Sequence, residues 1–181
     1  MIEEFDKEIA SNFEITNSTL HSLDLSDPIL YHRYLYNQFI IIGTLESFCD
    51  LSGIIELKRI KKISADLKDL EKTYNIKRSP KKLHSNGAIK YNAYLQTLDH
   101  DELLIHIYVR HIKDIMENTE LKNKVPGQKT MFNFEDDKGF DISEKLRSDL
   151  SSMLDIEFID EANLCLRFMN ELYEEYLNEL S

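Results

Sequence analysis

HIYVRHIKDIMENTE, residues 106–120, lies past the middle of a 181-residue chain, and its pattern decides the fold class. With the preceding Ile105, the residues Val109, Ile112 and Met116 recur at spacings of four, three and four. That period puts apolar side chains on one face of a helix. Tyr108, Arg110, His111 and Asp114 are interleaved with them, so groups that carry or exchange charge lie close to an apolar stripe.

Working outward, the five glycines and three prolines fall between periodic segments, which predicts an almost wholly helical chain. A short helix is expected from Ile2 to Asn12, with a turn or second short piece over Ser18–Asp24. Ser26-Asp27-Pro28 is a start signal, since Ser26 or Asp27 can cap and Pro28 suits a first turn. The helix after it runs to about Leu51 and carries Tyr31, Tyr34, Tyr36, Phe39 and Phe48. Gly43 interrupts it, costs about 1 kcal/mol relative to alanine, and is expected to mark a close approach of another backbone. Leu57–Tyr74 reads as a basic amphipathic helix broken at Ser79-Pro80. Ser85-Asn86-Gly87 reads as a turn before a helix over Ala88–Leu98. Asp99 or Asp101 caps the central helix, and Val125-Pro126-Gly127 ends it. Met131–Phe134 reads as extended or loop, and Ser143–Leu154 and Asp160–Leu180 as the last helices.

The bulk numbers bound the function. A length of 181 residues suits one domain, 1–181, with a full core. The chain is 42% apolar and 30% charged, too apolar for disorder. A net charge of −11 argues against nucleic acid bound on a broad basic face. Cys49 and Cys165 read as reduced packing residues, and no Cys/His cluster suggests zinc. The acidic start MIEEFDKEIA is unlike a signal peptide, and the longest apolar run, Phe39–Ile42, is far short of a span, so no membrane is expected and the cytoplasm is the default compartment. Positive charge gathers in Lys58–Lys82. That block is either an ordinary solvated helix face or a dock for an acidic redox or other protein partner.

Four strings, in order, resemble the heme oxygenase family. KEIASNFE, from Lys7, resembles the first-helix string KEVHTQAE. AIKYNAYLQTL followed by DELLIHIYVRHIKD resembles RYVxRL…PELLxAHAYTRYLGD. Lys145-Leu146-Arg147-Ser148 and FIDEANLCLRFMNELYEEY resemble the last two helices. The resemblance implies an all-α, single-domain, heme-oxygenase-like fold with heme as cofactor. It places Tyr108, Arg110 and Asp114 where the family has distal residues, the aspartate supplying protons through ordered water. Lys7 and Arg147 match positions that pair with heme propionates, and Gly43 is grouped with them at the cofactor site; Glu3 replaces a lysine. Ala10 takes the place of the histidine that holds the iron, and no other metal ligand is assigned. His21, about 16 Å further along a straight helix, could replace it only if the first helix is rebuilt. Lys113, Glu117 and Asn118 stand where the distal helix has glycines, and long side chains there would enter the heme cavity or straighten the helix.

For Asp114 and Arg110 the alternative is a surface ion pair between them at i,i−4; for Tyr108 it is ordinary packing, and for Lys7 and Arg147 it is solvated charge. The expected function is therefore a divergent member with heme cleavage lost or altered, binding a ligand or partner. The alternative is an active enzyme that turns heme into biliverdin, CO and iron. A remote alternative is a di-iron oxidase using Glu102, His106, His111 and Asp114, with Glu46, His32 and Asp50 as partners.

Overall fold

A computed structural model describes residues 2–52, 57–133, 144–148, 150 and 156–180; the side chains at 2–3, 115–118 and 156–157 fall outside it too. The fold is all-α. The helices are α1 (Ile2–His21), α2 (Pro28–Phe48), α3 (Ile60–Thr73), α4 (Pro80–Leu83), α5 (Asn86–Leu95), α6 (His100–Lys124) and α7 (Ile156–Leu180). A 3-10 turn spans Thr130–Phe132 and residues 144–148 are helical. No described residue is in a strand.

Local chemistry sets the helix ends. Asp27 accepts the Ile29 N–H at 2.8 Å with Pro28 in the first turn of α2. Asp99, not Asp101, caps α6, and Glu102 returns the bond to the Asp99 N–H at 2.8 Å. Gly127 takes φ +83 after α6, and a Cβ there would lie 3.0 Å from Asp69 Oδ2 and 3.1 Å from Leu70 of α3. Only glycine fits that turn without strain. Asp66 of α3 then accepts the N–H groups of Thr130 and Met131, both at 2.8 Å. Those bonds tighten residues 130–132 into a 3-10 turn where an extended or loop segment was expected; Phe134 lies outside the described residues.

α1 is one helix to His21, not a short piece ending at Asn12. It runs parallel to α7, joined by Asn12–Asn163 at 2.7 Å, the Thr16 hydroxyl on the Leu166 carbonyl at 3.2 Å and Thr19–Asn170 at 2.6 Å. Partners at steps of three and four on both helices supply the register that carries α1 past the expected stop. Gly43 does not break α2. A Cβ there would meet Ile60 Cδ1 of α3 at 3.2 Å, so the close approach is by a side chain, not a backbone. α2 is apolar around much of its circumference and packs on α3, α5 and α6 at the centre. Tyr31, Tyr34 and Tyr36 are core residues, whereas Phe48 is 57% exposed. No helix among the described residues is long and apolar enough to cross a membrane.

Candidate functional site

α6 carries three polar groupings on three sides. The first faces α1. Tyr108 is fully buried, its hydroxyl donates to Asp6 Oδ1 at 3.1 Å, and Arg147 Nε donates to the same hydroxyl at 3.1 Å. Arg147 also pairs with Asp6. Burial, followed by the Asp6 charge, pushes the Tyr108 phenol up to about 12 against the pull of Arg147. The Phe5 ring packs on Tyr108 at 5.9 Å. Further along, His21 Nδ1 lies 3.2 Å from Glu120, which also pairs with Lys124 at 2.9 Å. α1 and α6 are thus tied at two levels roughly 20 Å apart. Ala10 lies between the two levels on α1 and is exposed; Lys7 is exposed too.

The second grouping is in the core. Asp114 pairs with the Arg59 guanidinium, and both side chains are under a tenth exposed. Burial alone would raise the Asp114 carboxyl, but Arg59, Arg110 and Lys113 together hold it below the usual carboxylate range. Arg110 is buried and donates to Gln38 of α2. The expected alternative of a surface pair between Arg110 and Asp114 is therefore corrected: both side chains point inward, and Asp114 takes its partner from the segment before α3. Lys113 is also buried, its ammonium 5.5 Å over the Tyr173 ring of α7. It turns into the helix packing instead of projecting into a cavity or changing the continuous α6. The side chains of Glu117 and Asn118 lie outside the described residues, as does that of Glu3.

The third grouping joins α5, α6 and α7. His106 donates from Nε2 to Glu161 at 2.6 Å, and its Nδ1 lies 2.7 Å from the Tyr91 hydroxyl. That hydroxyl is 3.2 Å from Cys165 Sγ. Tyr94 donates to both Glu161 oxygens, at 2.9 and 2.8 Å. Burial lowers the His106 pKa, but Cys165 and the Glu161 carboxylate outweigh it and bring it to about 9.

No protein-family model matches this chain, and no curated protein does.

The site therefore stands on its geometry. Tyr108 and Arg147 are brought together, whereas Gly43 is not with them: it faces the Ile60 side chain of α3. Gly43 instead lines a surface groove of about 500 Å³ with Glu46, Ser47, Lys58, Ile60 and Lys61. The partners imagined for a di-metal centre are scattered. Glu46 accepts the Arg59 and Ile60 N–H groups, His32 pairs with Glu71 at 2.9 Å, and Asp50 accepts the Ser52 N–H at 3.0 Å. Among the described residues no three His, Cys, Asp or Glu side chains are placed to hold a metal ion.

Sequence reading missed Arg59, Gln38, Asp6, Tyr91 and Glu161. Arg59 sat inside a block read as solvated, and the basic residues around it (Lys58, Lys61, Lys68, Lys72) are indeed exposed. The available signal was Leu57-Lys58-Arg59-Ile60, where a cation next to an apolar pair at the start of a helix can turn inward.

Proposed function

We propose that this chain is a divergent heme-oxygenase-like binding protein that does not cleave heme, and that it receives an acidic segment of a partner protein in the lysine-lined groove beside α3. The observation that carries the first half is the Arg59 guanidinium seated on Asp114. A carboxylate that supplies protons through ordered water must face that water, and this one is buried against a cation. The residues at the positions matched to a heme site do not fit the group. Ala10 offers iron a methyl group, α1 is not rebuilt to bring His21 closer, and Arg147, the matched propionate partner, is already paired with Asp6. An active heme oxygenase remains the alternative outcome of the test. Purified protein titrated with hemin is expected to give no one-to-one complex with a sharp histidine-ligated Soret band, and no biliverdin with ascorbate. Either signal would return the chain to heme cleavage.

The second half rests on charge complementarity. In a chain of net charge −11, Lys58 and Lys61 stand exposed at the groove with Ile60 as apolar floor, and the one carboxylate in its lining, Glu46, is turned to the Arg59 and Ile60 N–H groups. A fluorescent glutamate-rich peptide carrying one leucine is expected to bind at low salt and to weaken as salt screens the lysines. Reversing both charges, Lys58→Glu with Lys61→Glu, is expected to reduce affinity about tenfold or more. Unchanged binding in that variant would remove the groove from the proposal and leave the hemin result standing by itself.

A further inference from the structure

Ten of the chain's 22 Lys and Arg residues, but only three of its 33 Asp and Glu, fall between Lys58 and Lys82. All three acids are taken up inside the molecule. Asp66 accepts the Thr130 and Met131 N–H groups, Asp69 accepts the Gln128 N–H at 3.0 Å, and Glu71 holds His32 and Arg78. Three of the bases are taken up as well: Arg59 by Asp114, Arg78 by Glu71, and Lys62 by the Asn133 carbonyl at 2.6 Å. By contrast, Lys61, Lys68, Lys72, Lys77, Lys81 and Lys82 are exposed and form no salt bridge among the described residues.

The first part of this basic strip is one helix face. α3 buries Ile63, Asp66, Leu67 and Leu70, and on the opposite side it shows Lys61, Ala65, Lys68 and Lys72 at steps of four, three and four. Lys61 lines the groove, and from there the row runs along α3 for roughly 16 Å. Along the axis its lysines are about 10 and 6 Å apart. A helix laid beside α3 repeats both steps with carboxylates seven and four residues apart. An extended chain presents one face only every 6–7 Å or so, which misses the longer step. Ala65, between Lys61 and Lys68, has a methyl group where a long side chain would hold a partner's backbone away. Lys68 and Lys72 are one turn apart, and like charges at that spacing disfavour a helix. Carboxylates from a partner would turn that repulsion into attraction.

The width of the strip selects its occupant. A row one helix wide suits one segment of chain, whereas the acidic remainder of the molecule would repel an extended anionic surface. We propose that the acidic partner segment placed in the groove above is an α-helix of about three turns or more, which leaves the groove along the Lys61, Lys68 and Lys72 face of α3; this rests on that placement in the groove.

The test uses the full chain and a labelled peptide of about 20 residues, long enough for the strip, with glutamates at steps of three and four on one face and alanine elsewhere. A second peptide has proline for one central alanine, which breaks a helix without changing charge. The first peptide is expected to gain helical circular dichroism on binding, and the proline peptide to bind about tenfold more weakly. Lys68→Glu with Lys72→Glu, two exposed residues outside the groove lining, is expected to weaken the first peptide about tenfold while the circular dichroism of the free protein stays unchanged. Vesicles rich in phosphatidylserine are expected not to bind. Equal affinity for the two peptides would overturn the helix, and tighter binding to the vesicles would overturn the choice of partner. If Lys68→Glu with Lys72→Glu bound like the parent while Lys58→Glu with Lys61→Glu bound more weakly, the course along α3 would fall and the groove would stand. If neither pair changed the affinity, both would fall.

Discussion

Replacing Asp114 with alanine is expected to destabilise the protein by about 3–5 kcal/mol, the usual result of removing one partner from a buried ion pair. The carboxylate meets the Arg59 guanidinium directly, and Arg110 and Lys113 add their fields to it. Without it, the buried Arg59, Arg110 and Lys113 lose the carboxylate whose charge they share. A domain of this kind is stable by only about 5–15 kcal/mol, so the loss corresponds to a fall in Tm of roughly 10 °C or more. Urea denaturation of the parent and the variant measures it. Adding Arg59→Met should restore a large part, because the two charges then leave together and an apolar stem remains to pack. If Asp114→Ala alone cost under about 1 kcal/mol, the pair would not be the internal tie described above, and Asp114 would be better read as a carboxylate open to solvent.

The second large effect is on pH. His106 has its pKa raised from 6.5 to about 9 by Cys165 and Glu161 acting against burial. A basic group with a raised folded pKa contributes stability that is complete below its unfolded value, near pH 6.5, and is lost as pH climbs through about 9. The size is of the order of 3 kcal/mol for a shift of this extent. Glu161 works in the opposite sense. Burial raises its pKa, but His106 and Tyr94 outweigh that and depress it, so its contribution is present above its ordinary value and lost as pH falls through the lowered one. The pair is therefore strongest between about pH 4.5 and 6.5. His106→Gln keeps a donor for Glu161 and removes the titration. Urea midpoints for the parent should fall between pH 6.5 and 9, and the difference between parent and variant should shrink over that range. A difference that stays constant across it would show that His106 is neutral in the folded state throughout.

The heme resemblance and the geometry meet most directly at Tyr108, Arg110 and Asp114. Their order on one helix was readable from HIYVRHIKDIMENTE, because the apolar period places them between stripe residues. What each one does was not readable from that order. Tyr108 turns to Asp6 and Arg147, Arg110 to Gln38, and Asp114 to Arg59. Three residues within two turns of one helix thus take partners from α1, α2, the 144–148 helix and the segment before α3. His106 gives the same lesson, since Glu161 lies 55 residues away in the chain. The expectation of a surface pair between Arg110 and Asp114 failed because i,i−4 spacing shows which groups could meet on an isolated helix and not which face becomes buried.

The sequence by itself determined the all-helical class and the starts of α1, α2 and α6, and narrowed two caps to Ser26 or Asp27 and to Asp99 or Asp101, of which Asp27 and Asp99 hold. Those signals act over three or four residues, within reach of the local chain, so they survive in the one-dimensional pattern. Only the tertiary structure decided that α1 continues to His21 along α7, that Arg59 leaves a lysine-rich face to neutralise Asp114, and that Arg110 turns inward to Gln38. Each of those depends on burial and on charges brought together from distant parts of the chain. The energy of a charge is set by what surrounds it after folding.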